Sequence, residues 1–192
     1  LALALASAHH AYADAFGGRE AAVVVFVVQG LETNVNDQRL VELELAEAYD
    51  VPVVRATLAE LRQRLRLVEP EDGGAGRPKL VLLPPGAPVE DAATFAEARG
   101  AGELHGAREV SVVYYRAGYG PEDYEQDLEG ALGADVEQRC WEARRVMERS
   151  RAVQCPSVAY QLAGTKKVQQ ALAAPGGVER FCGAAEAAAL RE

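Results

Sequence analysis

The sequence predicts an α/β fold, a three-layer αβα arrangement around a mainly parallel, Rossmann-like sheet. The main observation is Ala21–Gln29, an apolar, β-branched run without polar alternation, which is typical of a strand covered on both faces. Two further β-rich segments, Val51–Val54 and Val110–Tyr115, are separated from it by stretches with helical periodicity. Strands that alternate with helices in this way form parallel sheets with helices on both faces.

The composition limits the possible functions. The chain has 192 residues, 49% of them hydrophobic and 26% charged, which is typical of one globular domain with a proper core. The net charge of −9 argues against nucleic acid as a partner, because phosphate backbones are bound by clustered Lys and Arg. No apolar run reaches the roughly 18 residues of a membrane span, so no membrane partner is expected.

The cysteines and the first residue bear on location and completeness. Cys140, Cys155 and Cys182 form no C-x-x-C pair, and an odd number of cysteines predicts reduced thiols and a cytoplasmic location. The chain begins without Met and inside a helical pattern, so we expect it to be a segment of a longer protein. An organelle stays open, because a targeting peptide would precede Leu1.

The first predicted element is a helix over Leu1–Phe16, ended by Gly17 and Gly18. It contains the adjacent histidines His9 and His10, whose side chains leave a helix about 100° apart. That geometry is poor for a shared metal ion, and we predict surface or rim histidines.

A strand–helix–strand unit follows. Asp37–Tyr49 is predicted as a helix with Asp37 as N-cap and a buried stripe that contains Leu40, Leu43 and Leu45. With the strands on either side, this helix predicts two neighbouring parallel strands. Thr57–Leu67 is predicted as the next helix, capped by Thr57, with apolar residues at helical spacing.

The second half of the chain alternates between regular and irregular segments. Residues 68–103 are rich in Gly and Pro and are predicted to be an insertion or surface excursion without chemistry, with one short strand at Leu80–Leu83. Glu137–Arg151 is predicted as a helix with Glu–Arg pairs at i, i+4. A further helix, Lys166–Ala173, is capped by Thr165.

Polar side chains follow two of the predicted strands. Glu32, Asn34 and Gln38 follow the first strand, and Arg116 and Tyr119 follow Val110–Tyr115. Ligands of open α/β sheets bind at the carboxyl ends of strands, so these residues are candidates for one site. Arg116 offers a planar fork for a carboxylate. The strand pattern allows equally that Arg116 pairs with a nearby acid and that Tyr119 simply packs.

Lys166 is a candidate for an anion site. It lies at the predicted N-terminus of a helix, where the helix dipole favours anions and a cation indicates a bound phosphate or carboxylate. The segment is not a phosphate loop, because the leading Gly of that motif is absent and the order of Lys and Thr is reversed.

Four segments together carry a resemblance to a known family. They are Gln29–Arg39, Val113–Tyr119, Trp141–Arg144 together with Glu148–Ser150, and Gln161–Gln170 with the sequence QLAGTKKVQQ. These segments resemble the substrate-binding domain of the eukaryotic-type glutathione synthase, a domain of the type that precedes an ATP-grasp fold. The resemblance leaves the region from Val68 to Glu103 unaccounted for, and it implies that residues 1–192 form that domain.

The resemblance implies an ATP-dependent carbon–nitrogen ligase that joins γ-glutamylcysteine to glycine through an acyl phosphate, with ATP and Mg²⁺, as a homodimer. Lys166 would bind ATP. No catalytic or metal-binding residue is expected here, because those parts of the family lie before and after this chain, which should therefore be inactive alone. The residues implied to contact γ-glutamylcysteine or glutathione are Glu32, Thr33, Asn34, Gln38, Arg116, Ala117, Gly118 and Tyr119.

Two departures and two alternatives accompany this interpretation. Ala117 stands where the family often has Asp, and Thr33 where an Arg occurs in some members, so the charge of the binding loops differs. One alternative is a non-catalytic peptide-binding module derived from the same domain. The other is an interaction domain in which Arg116 and Glu32 pair with each other. Glycine and a close analogue remain open as the acceptor.

Overall fold

The computed structural model describes residues 1–17, 22–70, 76–87, 106–125 and 135–191, in two compact units, Leu1–Cys155 and Pro156–Glu192. The strands of the first unit are β1 Ala22–Val27, β2 Val53–Ala56, β3 Leu65–Val68, β4 Lys79–Leu82, β5 Arg108–Tyr115 and β6 Val153–Cys155. Its helices are α1 Ala2–Phe16, α2 Val35–Tyr49, α3 Leu58–Arg64, α4 Glu122–Glu125 and α5 Val136–Arg149.

The strands form one sheet in the order β2-β1-β5-β4-β3, and β6 pairs with β5 as well. The pairs β1–β2, β1–β5 and β5–β6 are parallel, whereas β3–β4 and β4–β5 are antiparallel. β1 is buried at every position, because it lies between two strands and under helices on both faces. The predicted strand–helix–strand unit, with β1 and β2 as parallel neighbours, is confirmed.

Two hydrophobic cores lie on opposite faces of the sheet. Val23, Val25 and Val27 of β1 pack in one core with α3 and α5. Val24 and Phe26 alternate to the other core, with α1 and α2. This arrangement confirms the three-layer αβα prediction.

The β1–β5 pairing contains an irregularity at Ser111. Val23 pairs with Val110 and Val24 with Val112, so Ser111 is an extra residue of β5 in this register. The hydroxyl of Ser111 donates to the Val23 carbonyl oxygen at 3.0 Å and stays inside the sheet.

The prediction that His9 lies at the surface was wrong. His9 is 1% exposed, and its Nδ1 lies 2.7 Å from the Ser111 hydroxyl oxygen. Since that hydroxyl already donates to a carbonyl, His9 Nδ1 is the donor in this pair. A polar partner on the neighbouring strand is what allows an imidazole in the core.

The start and the buried face of α2 also differ from the prediction. Asn34 rather than Asp37 occupies the N-cap position. Leu45 is fully buried, but Leu40 and Leu43 are 65% and 52% exposed, so the predicted stripe was wrong for these two residues. They line an open groove beside β2. Because β2 is the edge strand of the sheet, no further strand covers that side among the described residues.

The helix predicted over Thr57–Leu67 ends earlier. Thr57 caps α3 in a capping box with Glu60, as predicted, but the chain turns into β3 at Leu65. β3 pairs with β4, which confirms the short strand predicted near Leu80–Leu83 and shows that this strand belongs to the sheet. Residues 71–75 and 88–105 of the predicted insertion lie outside the described residues.

The second unit contains α6 Val158–Ala163, α7 Lys166–Ala173, a 3-10 helix Val178–Arg180 and α8 Ala184–Ala189. The bounds of α7 match the prediction, and the Thr165 side chain accepts from the Val168 N–H at its start. In the described part of the chain all three cysteines are free thiols, as predicted. No helix in that part is both long and apolar enough to cross a membrane.

We predict that Ser111→Ala lowers the free energy of unfolding by about 1–3 kcal/mol, because it leaves the buried His9 Nδ1 without this partner. Urea denaturation measures the effect. Ser7→Ala is the matched control, since Ser7 is exposed on the same helix as His9, and it should change stability by less than about 0.5 kcal/mol. Equal effects of the two substitutions would contradict the role given to the His9–Ser111 bond.

Candidate functional site

The two predicted binding loops leave the sheet side by side. Val27, the last residue of β1, pairs with Tyr115, the last residue of β5. The backbone N–H of Arg116 donates to the Val27 carbonyl oxygen at 2.8 Å, so the pairing continues one residue past β5. Because the strands are parallel, both exits lie at the same edge of the sheet, where α/β proteins bind ligands.

Asp123 of α4 holds the two exits together. Its Oδ2 accepts the backbone N–H groups of Gly118 and Tyr119, both at 2.8 Å, and of Gly120 at 3.4 Å. Its Oδ1 accepts from the side-chain amide of Gln29, just past β1, at 2.9 Å. One carboxylate therefore fixes the Arg116–Gly120 loop and ties it to the first loop. Asp123 was not among the site residues predicted from the sequence.

The environment of Asp123 favours its charged form. Partial burial by itself raises the pKa of this carboxyl, but the hydrogen bonds from Tyr119, Gln29, Gly118 and Gly120 outweigh it. The net result is a pKa below the ordinary aspartate value. The Asp123 carboxylate, which we call the clamp, is therefore charged at neutral pH and accepts hydrogen bonds from Gln29, Gly118, Tyr119 and Gly120.

The guanidinium group of Arg116 has few partners among the described residues. Among the described residues no carboxylate lies within ion-pair distance of its guanidinium, so neither its pairing with a nearby acid nor an ion pair with Glu32 is seen there. Its Nε is buried without a hydrogen-bond partner in that part of the chain. A buried donor without a partner costs free energy, which a bound carboxylate would recover.

The rest of this loop is tightly built. Ala117 is buried, and Gly118 has φ +89°, in the left-handed region. A Cβ on Gly118 would lie 3.2 Å from the hydroxyl of Tyr124 and 3.4 Å from Nη1 of Arg144. Tyr119 donates its hydroxyl to the Tyr115 carbonyl at 2.6 Å and is 60% exposed, so its ring lies open to solvent.

Two further side chains support this loop from below. Tyr124 stacks on Trp141, with ring centroids 3.8 Å apart. Arg144 is 4% exposed, lies over the ring of Tyr115 at 3.8 Å and donates to Glu148 through Nε and Nη2. This cation–π contact and the ion pair give Arg144 a structural role beneath Gly118.

The loop after β1 is organised around Glu32. Its Oε1 accepts from the Asn34 backbone N–H at 2.8 Å and its Oε2 from the Gln38 amide at 2.6 Å. Glu32 is half-buried, Thr33 and Asn34 are exposed, and Gln38 is 2% exposed. Two of the predicted residues, Asn34 and Gln38, therefore bond the carboxylate of a third, Glu32.

The family model described as eukaryotic glutathione synthase matches residues 22–163. The chain belongs to this family. The chloroplastic glutathione synthetase of Solanum lycopersicum is 37% identical over 178 residues, which are 93% of this chain and 24% of that protein. The human glutathione synthetase is 34% identical over 179 residues, 93% of this chain and 28% of that protein.

A solved structure agrees with the fold. The glutathione synthetase-like effector GSS30 from Globodera pallida, in its apo form, aligns with a TM-score of 0.57 at 20% identity, over 97% of this chain and 32% of that one. At this identity the alignment shows the fold alone. The present chain spans about a quarter of the length of the curated relatives that it matches.

Lys166 lies in the second unit, at the first position of α7. Its Nζ donates to the neutral side chain of Gln169 at 3.1 Å, and no carboxylate lies within ion-pair distance in the described ranges. A lysine whose charge is not neutralised suits a phosphate. In the same ranges no three His, Cys, Asp or Glu residues are grouped as a metal site.

We predict that Asp123→Asn loosens the clamp, because a carboxamide cannot accept at both oxygen positions. The melting temperature should fall at pH 7. Since the folded pKa is depressed, the carboxylate stabilises fully above the ordinary value of about 3.9 and less as the pH falls through the folded pKa. The difference in melting temperature between wild type and Asp123→Asn should therefore shrink below about pH 4.

Thermal melting as a function of pH tests this prediction, and Glu122→Gln, at an exposed neighbouring residue, is the control. A difference in melting temperature that does not change with pH would contradict the role given to the Asp123 carboxylate.

We also predict that Gly118→Ala destabilises the protein by about 1–2 kcal/mol, because a left-handed φ strains any residue with a Cβ. The close Tyr124 hydroxyl adds to this cost. Gly164→Ala is the matched control: its φ is −77° and its nearest atoms lie 3.6 Å away. Chemical denaturation compares the two, and a larger loss at Gly164 would contradict the argument.

Proposed function

We propose that residues 1–192 form the substrate-binding part of an ATP-dependent glutathione synthase, a carbon–nitrogen ligase of glutathione biosynthesis. Its ligands are γ-glutamylcysteine and the product glutathione. Membership of the family supports this role. A cytoplasmic location, a homodimer and glycine as the acceptor belong to the same proposal.

The observation that carries the proposal is the adjacency of the β1 and β5 exits. The Gln29–Asp123 bond joins an acidic, amide-bearing loop to a guanidinium-bearing loop at one edge of the sheet. γ-Glutamylcysteine carries an ammonium group and two carboxylates. A site for it needs both an acid and a cation, and the two adjacent loops carry Glu32 and Arg116.

The residues have separate roles in this proposal. Glu32 accepts from the ammonium, and Arg116 binds a carboxylate with its Nε and a terminal nitrogen. Tyr119 provides an exposed ring at the mouth of the loop, with Ala117 and Gly118 as its backbone. Thr33, Asn34 and Gln38 complete the first loop. Holding the dipeptide at both charged ends fixes its reacting carboxylate in place.

ATP supplies the phosphoryl group that activates a carboxylate as an acyl phosphate. Lys166 would bind it, because an ammonium group stabilises negative charge on phosphate oxygens. Mg²⁺ ligands are expected from parts of the protein outside this segment. For that reason the segment alone should bind without turnover.

We predict that Arg116→Ala weakens γ-glutamylcysteine binding by about 1.5–3 kcal/mol, the value of hydrogen bonds to a charged group. Titration calorimetry on the full-length protein measures the binding. Arg145→Ala is the matched control, since Arg145 is an exposed arginine of α5 in the same unit. The control should bind as wild type does.

A turnover assay separates the enzyme from the binding module. ADP release that requires both γ-glutamylcysteine and glycine supports the ligase. Binding without such release in the full-length protein would favour the non-catalytic module. Absence of binding would overturn the proposed function.

A further inference from the structure

Arg55 lies on β2, next to the proposed binding loop. Its side chain is 14% exposed and forms an ion pair with Glu42, itself 13% exposed, between Nη1 and Oε1 at 2.5 Å. Its other terminal nitrogen, Nη2, donates to the side-chain oxygen of Gln38 at 2.8 Å.

The chemistry of the partners fixes the orientation of Gln38. A guanidinium group only donates, so the amide oxygen of Gln38 must face Arg55. An ionised carboxylate only accepts, so the amide nitrogen must face Glu32, to which it donates at 2.6 Å. The order Arg55, Gln38, Glu32 is therefore a directed relay of hydrogen bonds.

The relay ends on a carboxylate that is held at both oxygens. Gln38 holds Oε2 of Glu32, and the Asn34 backbone N–H holds Oε1 at 2.8 Å. Each carboxylate oxygen can accept two hydrogen bonds, so each retains one acceptor position for a ligand. Gln38, by contrast, is buried and has both ends of its amide engaged.

We propose that Arg55 is a positioning residue, which acts through Gln38 to orient Glu32 toward the α-ammonium group of a γ-glutamyl peptide. This inference rests on the proposed function. The contact between Glu32 and the ammonium group belongs to that function, and the new element is the support that Arg55 gives Glu32 through Gln38. Arg55 is suited to this role because its two terminal nitrogens, held in a rigid planar fork, bond Glu42 and Gln38 at once, and a lysine lacks this fixed pair of nitrogens.

The test is a double-mutant cycle on the full-length protein, with γ-glutamylcysteine as the probe in titration calorimetry. Arg55→Lys keeps the charge and breaks the relay, and we expect a Kd about ten-fold higher than that of wild type. Glu32→Gln removes the negative charge and replaces one of the two acceptor oxygens with a donor. If Arg55 acts through Glu32, the double variant should bind no more weakly than Glu32→Gln alone.

Two measurements distinguish this role from a purely structural one. Arg62→Lys is the matched control, because Arg62 also pairs with one glutamate, Glu142, at 2.6 Å in the same unit. It should leave the Kd unchanged. If Arg55→Lys fails to fold by thermal melting, Arg55→Met combined with Glu42→Gln removes the relay without leaving the charge of Glu42 unpaired, and the same ten-fold loss is expected.

Unchanged binding by Arg55→Lys, or losses in the double variant that multiply, would overturn the inference. If wild type itself does not bind γ-glutamylcysteine, the proposed function fails, and hydrogen exchange then decides on the relay. Faster exchange of the Asn34 amide in Arg55→Lys supports the relay, because that N–H depends on a fixed Glu32. Unchanged exchange contradicts it.

Discussion

The parallel pairing of β1 with β5 is the constraint on which the candidate site depends. These strands are far apart in the sequence, and each ends in a loop with polar residues. Their register brings Val27 opposite Tyr115 and lets the Arg116 N–H extend the ladder by one bond. The two loops therefore begin within one strand spacing of each other, about 4.8 Å.

Side-chain hydrogen bonds convert this adjacency into a defined geometry. Asp123 satisfies the backbone N–H groups of a loop that lacks regular structure, which a buried or half-buried turn needs. Glu32 has the same function in the other loop, with Gln38 and Arg55 behind it. Both loops are thus organised by a carboxylate, one from a following helix and one from the loop itself.

The sequence predicted those features that local patterns determine. The β-branched run gave β1, the capping residues Thr57 and Thr165 marked helix starts, and polar residues after strands marked the candidate loops. It failed where tertiary contacts decide. His9 is buried because a serine on a distant strand bonds it, and Leu40 is exposed because β2 is an edge. No local sequence pattern marks Asp123 or Arg55 as important. Asp123 bonds an irregular loop and the distant Gln29, and Arg55 bonds residues of the preceding helix.

The extra residue at Ser111 determines which face of the sheet each later residue of β5 occupies. Regular alternation would put Val110 and Val112 on one face, yet they belong to opposite cores. Downstream, Val113 and Tyr115 return to the core of α3 and α5, and Arg116 leaves the strand in that phase. A strand one residue shorter at this point would turn Tyr115 to the α1 side and take its ring away from Arg144. The direction in which the Arg116–Gly120 loop leaves the sheet therefore depends on the extra residue Ser111 in the middle of β5, which bonds His9 of α1.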